Sequence, residues 1–171
     1  DWTAACRQAG AKVFLDADSA LRDPYVTYSQ EEIQALVDFN AAGGALILAG
    51  WSDYYESYAD FPAEDHMAAQ QNQVLAALGS SLRIGDDATN DDERNGGQTQ
   101  RLYFNTYNWD SFLVDGVDYD AEHDYDNMYT QLFSQYGGAS VYVVDETGAP
   151  TAAVPDTVSP VVYGHATTYS K

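Results

Sequence analysis

Between residues 11 and 50 the chain spells out a succession of elements that few architectures accommodate. Residues 11–15 (AKVFL) are an apolar run of strand length, followed by Asp16-Ala17-Asp18 as a loop at its C-terminal edge. Ser29-Gln30-Glu31-Glu32 is a capping box, in which the Ser29 hydroxyl and the Glu32 carboxylate satisfy the first free N–H groups of a helix. Ile33, Leu36 and Val37 share one helical face with Phe39 beside it, and Gly43-Gly44 offers the positive φ that ends such a helix. Residues 45–50 (ALILAG) follow at once as a continuous apolar run. Strand, capped helix, double glycine and strand predict a right-handed βαβ unit on a parallel sheet, because parallel neighbours need a crossover of this kind.

A second helix is expected to start near Pro62 or Ala63, with Met67, Gln71, Val74, Leu75 and Leu78 as its stripe and Gly79 as its end. Leu82-Arg83-Ile84 reads as a short strand, residues 86–97 (DDATNDDERNGG) as a surface loop without periodicity, and residues 101–107 (RLYFNTY) as strand. Met128, Leu132, Phe133 and Tyr136 fit a helical stripe or an aromatic strand. Residues 141–144 and 151–154 around Glu146-Thr147-Gly148 predict a hairpin, and residues 161–163 a further strand. The expected fold class is α/β: a mostly parallel, flavodoxin-like sheet flanked by helices, not necessarily complete, with a hairpin-rich C-terminal third. At 171 residues and 45% apolar, without repeat or linker, residues 1–171 are expected to form a single domain. Its ends, Asp1-Trp2 and Lys171, read as cut ends, so the expectation is a fragment of a larger polypeptide.

Charge narrows the range of partners. There are 27 acids against 7 bases, a net charge of −20, which repels phosphate and excludes direct binding to a nucleic-acid backbone. No run nears the ~18 apolar residues of a membrane span, so no membrane insertion is expected. The lone Cys6 excludes an internal disulfide. Such a surface reads as secreted or salt-adapted, and divalent cations relieve its self-repulsion by bridging carboxylates. Asp118, Asp120, Glu122, Asp124 and Asp126 alternate along one stretch, so an extended backbone would set all five on one face, a candidate Ca2+ site. As an EF-hand the stretch fails, since His123 stands at the sixth position and Tyr129 at the twelfth. Asp86-Asp87 and Asp91-Asp92-Glu93 form a lesser acidic cluster.

A family resemblance rests on an ordered series of segments. They are Ala17, Asp18, Ala20 and Leu21 in a loop after a strand, the run AAGGALIL, and Trp51-Ser52-Asp53. Residues 75–87 (LAALGSSLRIGDD) and NGG followed by RLYF complete the series. From about Lys12 to Asn108 the chain resembles the type 1 glutamine amidotransferase-like superfamily. The resemblance is to its non-catalytic branch of extracellular multidomain proteins, gliding-motility transporter components and an intraflagellar-transport subunit. It implies a doubly wound parallel sheet with ligands beyond the C-terminal strand edges, here lined by Asp16, Asp18, Trp51, Ser52 and Asp53. Members carry a further strand on either side of the matching region. Neither is clear here, so either another segment of the same polypeptide, or a neighbouring subunit, supplies them, or the fold is truncated or reorganised.

Catalytic members hold a Cys nucleophile in a glycine-flanked elbow. The matching elbow, Gly50-Trp51-Ser52-Asp53-Tyr54, has no cysteine, and Ser52 is its candidate nucleophile. Tyr54 stands where a serine hydrolase wants glycine, and its bulk is expected to obstruct the elbow. His66, His123 and His165 show no local metal-ligand spacing, and His66, beside Glu64 and Asp65 at a helix start, reads as a solvated side chain. Trp51, Tyr54, Tyr55 and Tyr58 supply amphipathic faces at the ligand edge, and Tyr103, Tyr107 and Trp109 form a second cluster. The expected function is a non-enzymatic recognition or structural domain of a secreted or cell-surface protein, a pseudoenzyme that binds a protein segment or glycan. The alternative is a hydrolase, metal-assisted through the acidic loops or serine-based through Ser52, or part of a multidomain extracellular hydrolase.

Overall fold

The computed structural model describes residues 13–16, 27–58, 60–117 and 132–171. Strands β1 (Val13–Asp16) and β2 (Ala45–Leu48) pair in parallel, Val13 opposite Ala45 and Asp16 opposite Leu48, with helix α1 (Gln30–Ala41) between them in the chain. The capping box is made in full: Glu32 N–H donates to Ser29 Oγ (3.2 Å) and Ser29 N–H to Glu32 Oε2 (2.8 Å). The two glycines do different things. Gly43 takes φ +88°, while Gly44 lies so close to Phe39 that a Cβ there would stand 2.3 Å from the ring.

Beyond β2 come the short helix α2 (Tyr54–Tyr58), a 3-10 turn (Ala63–Asp65) and helix α3 (Met67–Ala77). Helix α3 joins both core clusters. Val74 packs with Ile33 and Leu36, next to Leu46 and Leu78, while Ala68 packs with Ile84 and Ala139, next to Leu48 and Leu75. Its amide side chains take the place of strand partners for nearby backbone, which must be hydrogen-bonded once buried. Gln70 accepts from Tyr28 N–H (2.8 Å) and donates to the Glu64 carbonyl (2.7 Å). Gln71 donates to the Ala49 carbonyl (3.3 Å), and Asn72 exchanges two 2.8 Å bonds with the Ile84 backbone. These polar residues, more than an apolar stripe, fix where the chain enters α1, leaves β2 and runs into the next strand.

That strand is β3 (Leu82–Ile84), followed by β4 (Thr89–Asp91), β5 (Arg101–Phe104), β6 (Thr106–Tyr107), β7 (Phe133–Tyr136), β8 (Val141–Val144), β9 (Pro150–Thr151), β10 (Val162–Tyr163) and β11 (Thr168–Ser170). All of their pairings are antiparallel: β3–β8–β9, β4–β11, β5–β7 and β6–β10. The expected fold class is therefore overturned. The protein is a small, mostly antiparallel β-sheet domain and not the parallel flavodoxin-like or amidotransferase-like sheet; among the described residues α1 and α3 are the two full helices and β1–β2 is the one parallel pair. The reason lies in the connections. A parallel neighbour requires a crossover, normally helical, whereas β8 passes to β9 through a tight turn at residues 145–149.

Two further expectations change. Residues 86–97 are not all surface loop, since Thr89–Asp91 is β4 and Asp91 is fully buried. Phe133–Tyr136 resolves to strand, and the hairpin forms as β8–β9, its turn closed by Asp145 Oδ1 accepting from Thr147 N–H (2.8 Å) and Ala149 N–H (3.0 Å). No helix among the described residues is long and apolar enough to cross a membrane.

Candidate functional site

The segment leaving β2 is fastened at every step. Gln71 holds Ala49, and Gly50 lies so near Ile84 that a Cβ would come within 2.8 Å of it. Trp51 bridges to Gly138 in antiparallel fashion, Ser52 N–H donates to the Gly137 carbonyl (2.8 Å), and Asp53 N–H to the Asp87 carbonyl (3.1 Å). Ser52 is buried, and its hydroxyl lies 3.7 Å from where a Gly137 Cβ would stand. The bulk of Tyr54 is not what closes the elbow, because that residue is 63% exposed. The backbone at Gly137 lies over Ser52 instead.

Helix α2 then carries Glu56 inward to 3% exposure, where its Oε1 accepts from Met67 N–H (2.7 Å) in the first turn of α3. That bond satisfies one of the free donors at a helix start. His66, at the cap position of α3, is 5% exposed, so the expectation of a solvated histidine is corrected. Its Nδ1 lies 2.8 and 2.9 Å from the two Asp86 oxygens, and its Nε2 lies 3.1 Å from the Phe61 carbonyl. A carbonyl and a carboxylate both act as acceptors here, so this setting favours the ring form that carries hydrogen on both nitrogens. Burial opposes that charge, but the hydrogen bond and charge of Asp86, with the Phe61 carbonyl and Glu56, outweigh it and raise the pKa above the usual 6.5. A ring with both nitrogens engaged in this way is not a base for Ser52.

Two acids near the ring, Glu56 and Asp53, shift the other way from ordinary ion-paired acids. Burial pushes Glu56 up against the opposing pull of Met67 N–H and His66. Burial also raises Asp53, with the charge of Asp86 next in weight. One ligating atom each from Glu56, His66 and Asp86 lies within 4.8 Å of the other two. No sequence spacing announces this cluster, since Asp86 lies 20 residues beyond His66 and Glu56 joins through α3.

Of the other sequence candidates, Asp16 ends β1 opposite Leu48, beside the strand from which Trp51, Ser52 and Asp53 emerge. Tyr55 and Tyr58 lie within α2. Asp18 and the run Asp118, Asp120, Glu122, Asp124 and Asp126 lie outside the described residues, as do Cys6 and His123. His165 contacts the Tyr103 carbonyl through Nε2 (3.0 Å) and tilts against Phe104. In the lesser acidic cluster, Asp87 accepts from the Ser140 N–H (2.8 Å) and hydroxyl (2.5 Å) and from the Ser170 hydroxyl. Asp91 accepts from Glu93 and Arg94 N–H and from the Thr167 and Thr168 hydroxyls. These acids are backbone fasteners, with their oxygens already in use. No protein-family model, no curated protein and no solved structure matches this chain.

Proposed function

We propose that the chain is a recognition domain of a secreted or cell-surface protein, which holds its ligand at the segment leaving the C-terminal end of β2. The observation that carries this reading is a contrast within four residues. Trp51, Ser52 and Asp53 are strapped by backbone bonds to residues 87 and 137–138, whereas the Tyr54 side chain is 63% exposed. An aromatic face on an immobilised backbone loses little conformational entropy when it binds. Of the two expected ligand classes, glycan is the better match: a ring such as Tyr54 stacks on the apolar face of a sugar, and the adjoining Asp53 carboxylate accepts from hydroxyls. The two-stranded β1–β2 pair is where a further segment of the same polypeptide, or a neighbouring subunit, adds strands.

The test is binding of the purified chain to an array of glycans, beside a basic peptide set. Saturable glycan binding that falls about tenfold in Tyr54→Ala supports the reading. Binding that ignores Tyr54, or binding to peptides alone, refutes it. Turnover of a substrate that Ser52→Ala abolishes would put the hydrolase in its place.

A further inference from the structure

We propose that Glu56, His66 and Asp86 form a binding site for one divalent transition-metal ion of the zinc type. This goes beyond the recognition role and stands apart from it, since Tyr54 takes no part in the site. The first support is the donor set. One imidazole and two carboxylates, two of the three residues nearly inaccessible, suit a small four-coordinate ion, whereas calcium wants six to eight oxygens.

The second support is independent of the cluster's charge and concerns how the donors are held. A metal-ligating histidine characteristically donates its other ring N–H to a backbone carbonyl or carboxylate, which fixes the tautomer and aims the free nitrogen. His66 does this through Nε2 to the Phe61 carbonyl at 3.1 Å, and Nδ1 is the nitrogen aimed at Asp86. Glu56 is likewise fixed through Oε1 by Met67 N–H at 2.7 Å. These two outer contacts come from the segment between α2 and α3 and from the first turn of α3, so the fold orients two of the three donors before any ion arrives.

The third member supplies access. The Asp86 side chain is 43% exposed, against 6% for His66. A tetrahedral ion with bonds of ~2.1 Å separates its donor atoms by ~3.4 Å. The 2.8 Å contact between His66 Nδ1 and Asp86 must therefore open slightly, and Asp86 is the side chain free to move. Its solvent side leaves the fourth position to water. On binding, Nδ1 gives its proton to solvent and the ion takes the place between the ring and Asp86. The ion would tie α2, the start of α3 and the loop after β3 into one unit.

The experiment uses the intact chain, stripped with a chelator and titrated calorimetrically with Zn2+ and, separately, Ca2+. The expected result is one saturable Zn2+ per chain with calcium far weaker, an affinity lowered about tenfold or more by Asp86→Asn and by Glu56→Gln, and NMR shifts of the His66 ring without shifts of His123 or His165. No saturable Zn2+ binding, binding indifferent to both substitutions, calcium held as tightly as zinc, or perturbation of another histidine would overturn the assignment. Should Glu56→Gln not fold, Asp86→Asn decides alone, because that side chain is exposed. A failed glycan test leaves these readings untouched, and the converse holds too.

Discussion

Asp91 and Glu56 are both buried acids in a chain of net charge −20, and the fold provides for them in opposite ways. Asp91 receives two backbone N–H groups, from Glu93 (2.9 Å) and Arg94 (2.8 Å), and two hydroxyls, from Thr167 (2.8 Å) and Thr168 (3.0 Å). Burial alone would raise its pKa, but those donors outweigh it and hold the carboxyl at about 2. Glu56 accepts from Met67 N–H, with the His66 ring nearby, while Asp53 and Asp86 add like charge, so burial prevails and its pKa rises. Donor supply, not depth, decides which of these two buried carboxylates is held below its usual range and which above it.

The largest break in this contrast would come from Asp91→Ala, which orphans four donors at once and should destabilise the protein by more than about 3 kcal/mol in urea unfolding. A loss below about 1 kcal/mol would mean that the four contacts are not what holds β4 to β11. Next is the pH dependence. Because the folded pKa of Asp91 is lowered from 3.8 to about 2, its stabilisation is present above the unfolded value and lost as pH falls through the folded one. The stability gap between wild type and Asp91→Asn should therefore narrow by roughly 2 kcal/mol as pH drops from ~5 to ~2, read from urea unfolding at each pH.

Smallest is Glu56→Gln, which keeps an acceptor for Met67 N–H and removes the charge. It should alter stability at neutral pH by less than about 1 kcal/mol in metal-free buffer. Its pH dependence has the opposite sign to that of Asp91. A folded pKa raised above 4.5 means that the wild type loses stability relative to the variant as pH climbs through that window. Parallel slopes for the two acids would abolish the distinction between them.

Legibility followed the range of the interaction. The Ser29–Glu32 capping box, the positive φ of Gly43, the Gly79 stop and the turn at Glu146-Thr147-Gly148 were all readable, each being a matter of a few consecutive residues. Strand β4 was not, because Thr89-Asn90-Asp91 carries no apolar alternation; its place comes from β11 and from the donors gathered around Asp91. The elbow at Ser52 was visible as a loop after an apolar strand, but what closes it, the backbone at Gly137, arrives from 85 residues away. His66 reads as a solvated helix start beside two acids, and only Asp86 and Phe61 make it a buried ring held at both nitrogens.

By itself the sequence determined where helix α1 starts and stops, that a strand follows it, and that the surface is anionic, because caps, glycine conformations and net charge belong to the chain before it folds. Tertiary structure alone decided that nearly every strand would pair antiparallel, that Asp91 would be saturated with donors, and that Glu56, His66 and Asp86 would meet. Those outcomes depend on contacts between distant residues, whose energies exist only once burial has removed water and brought the partners within hydrogen-bond reach.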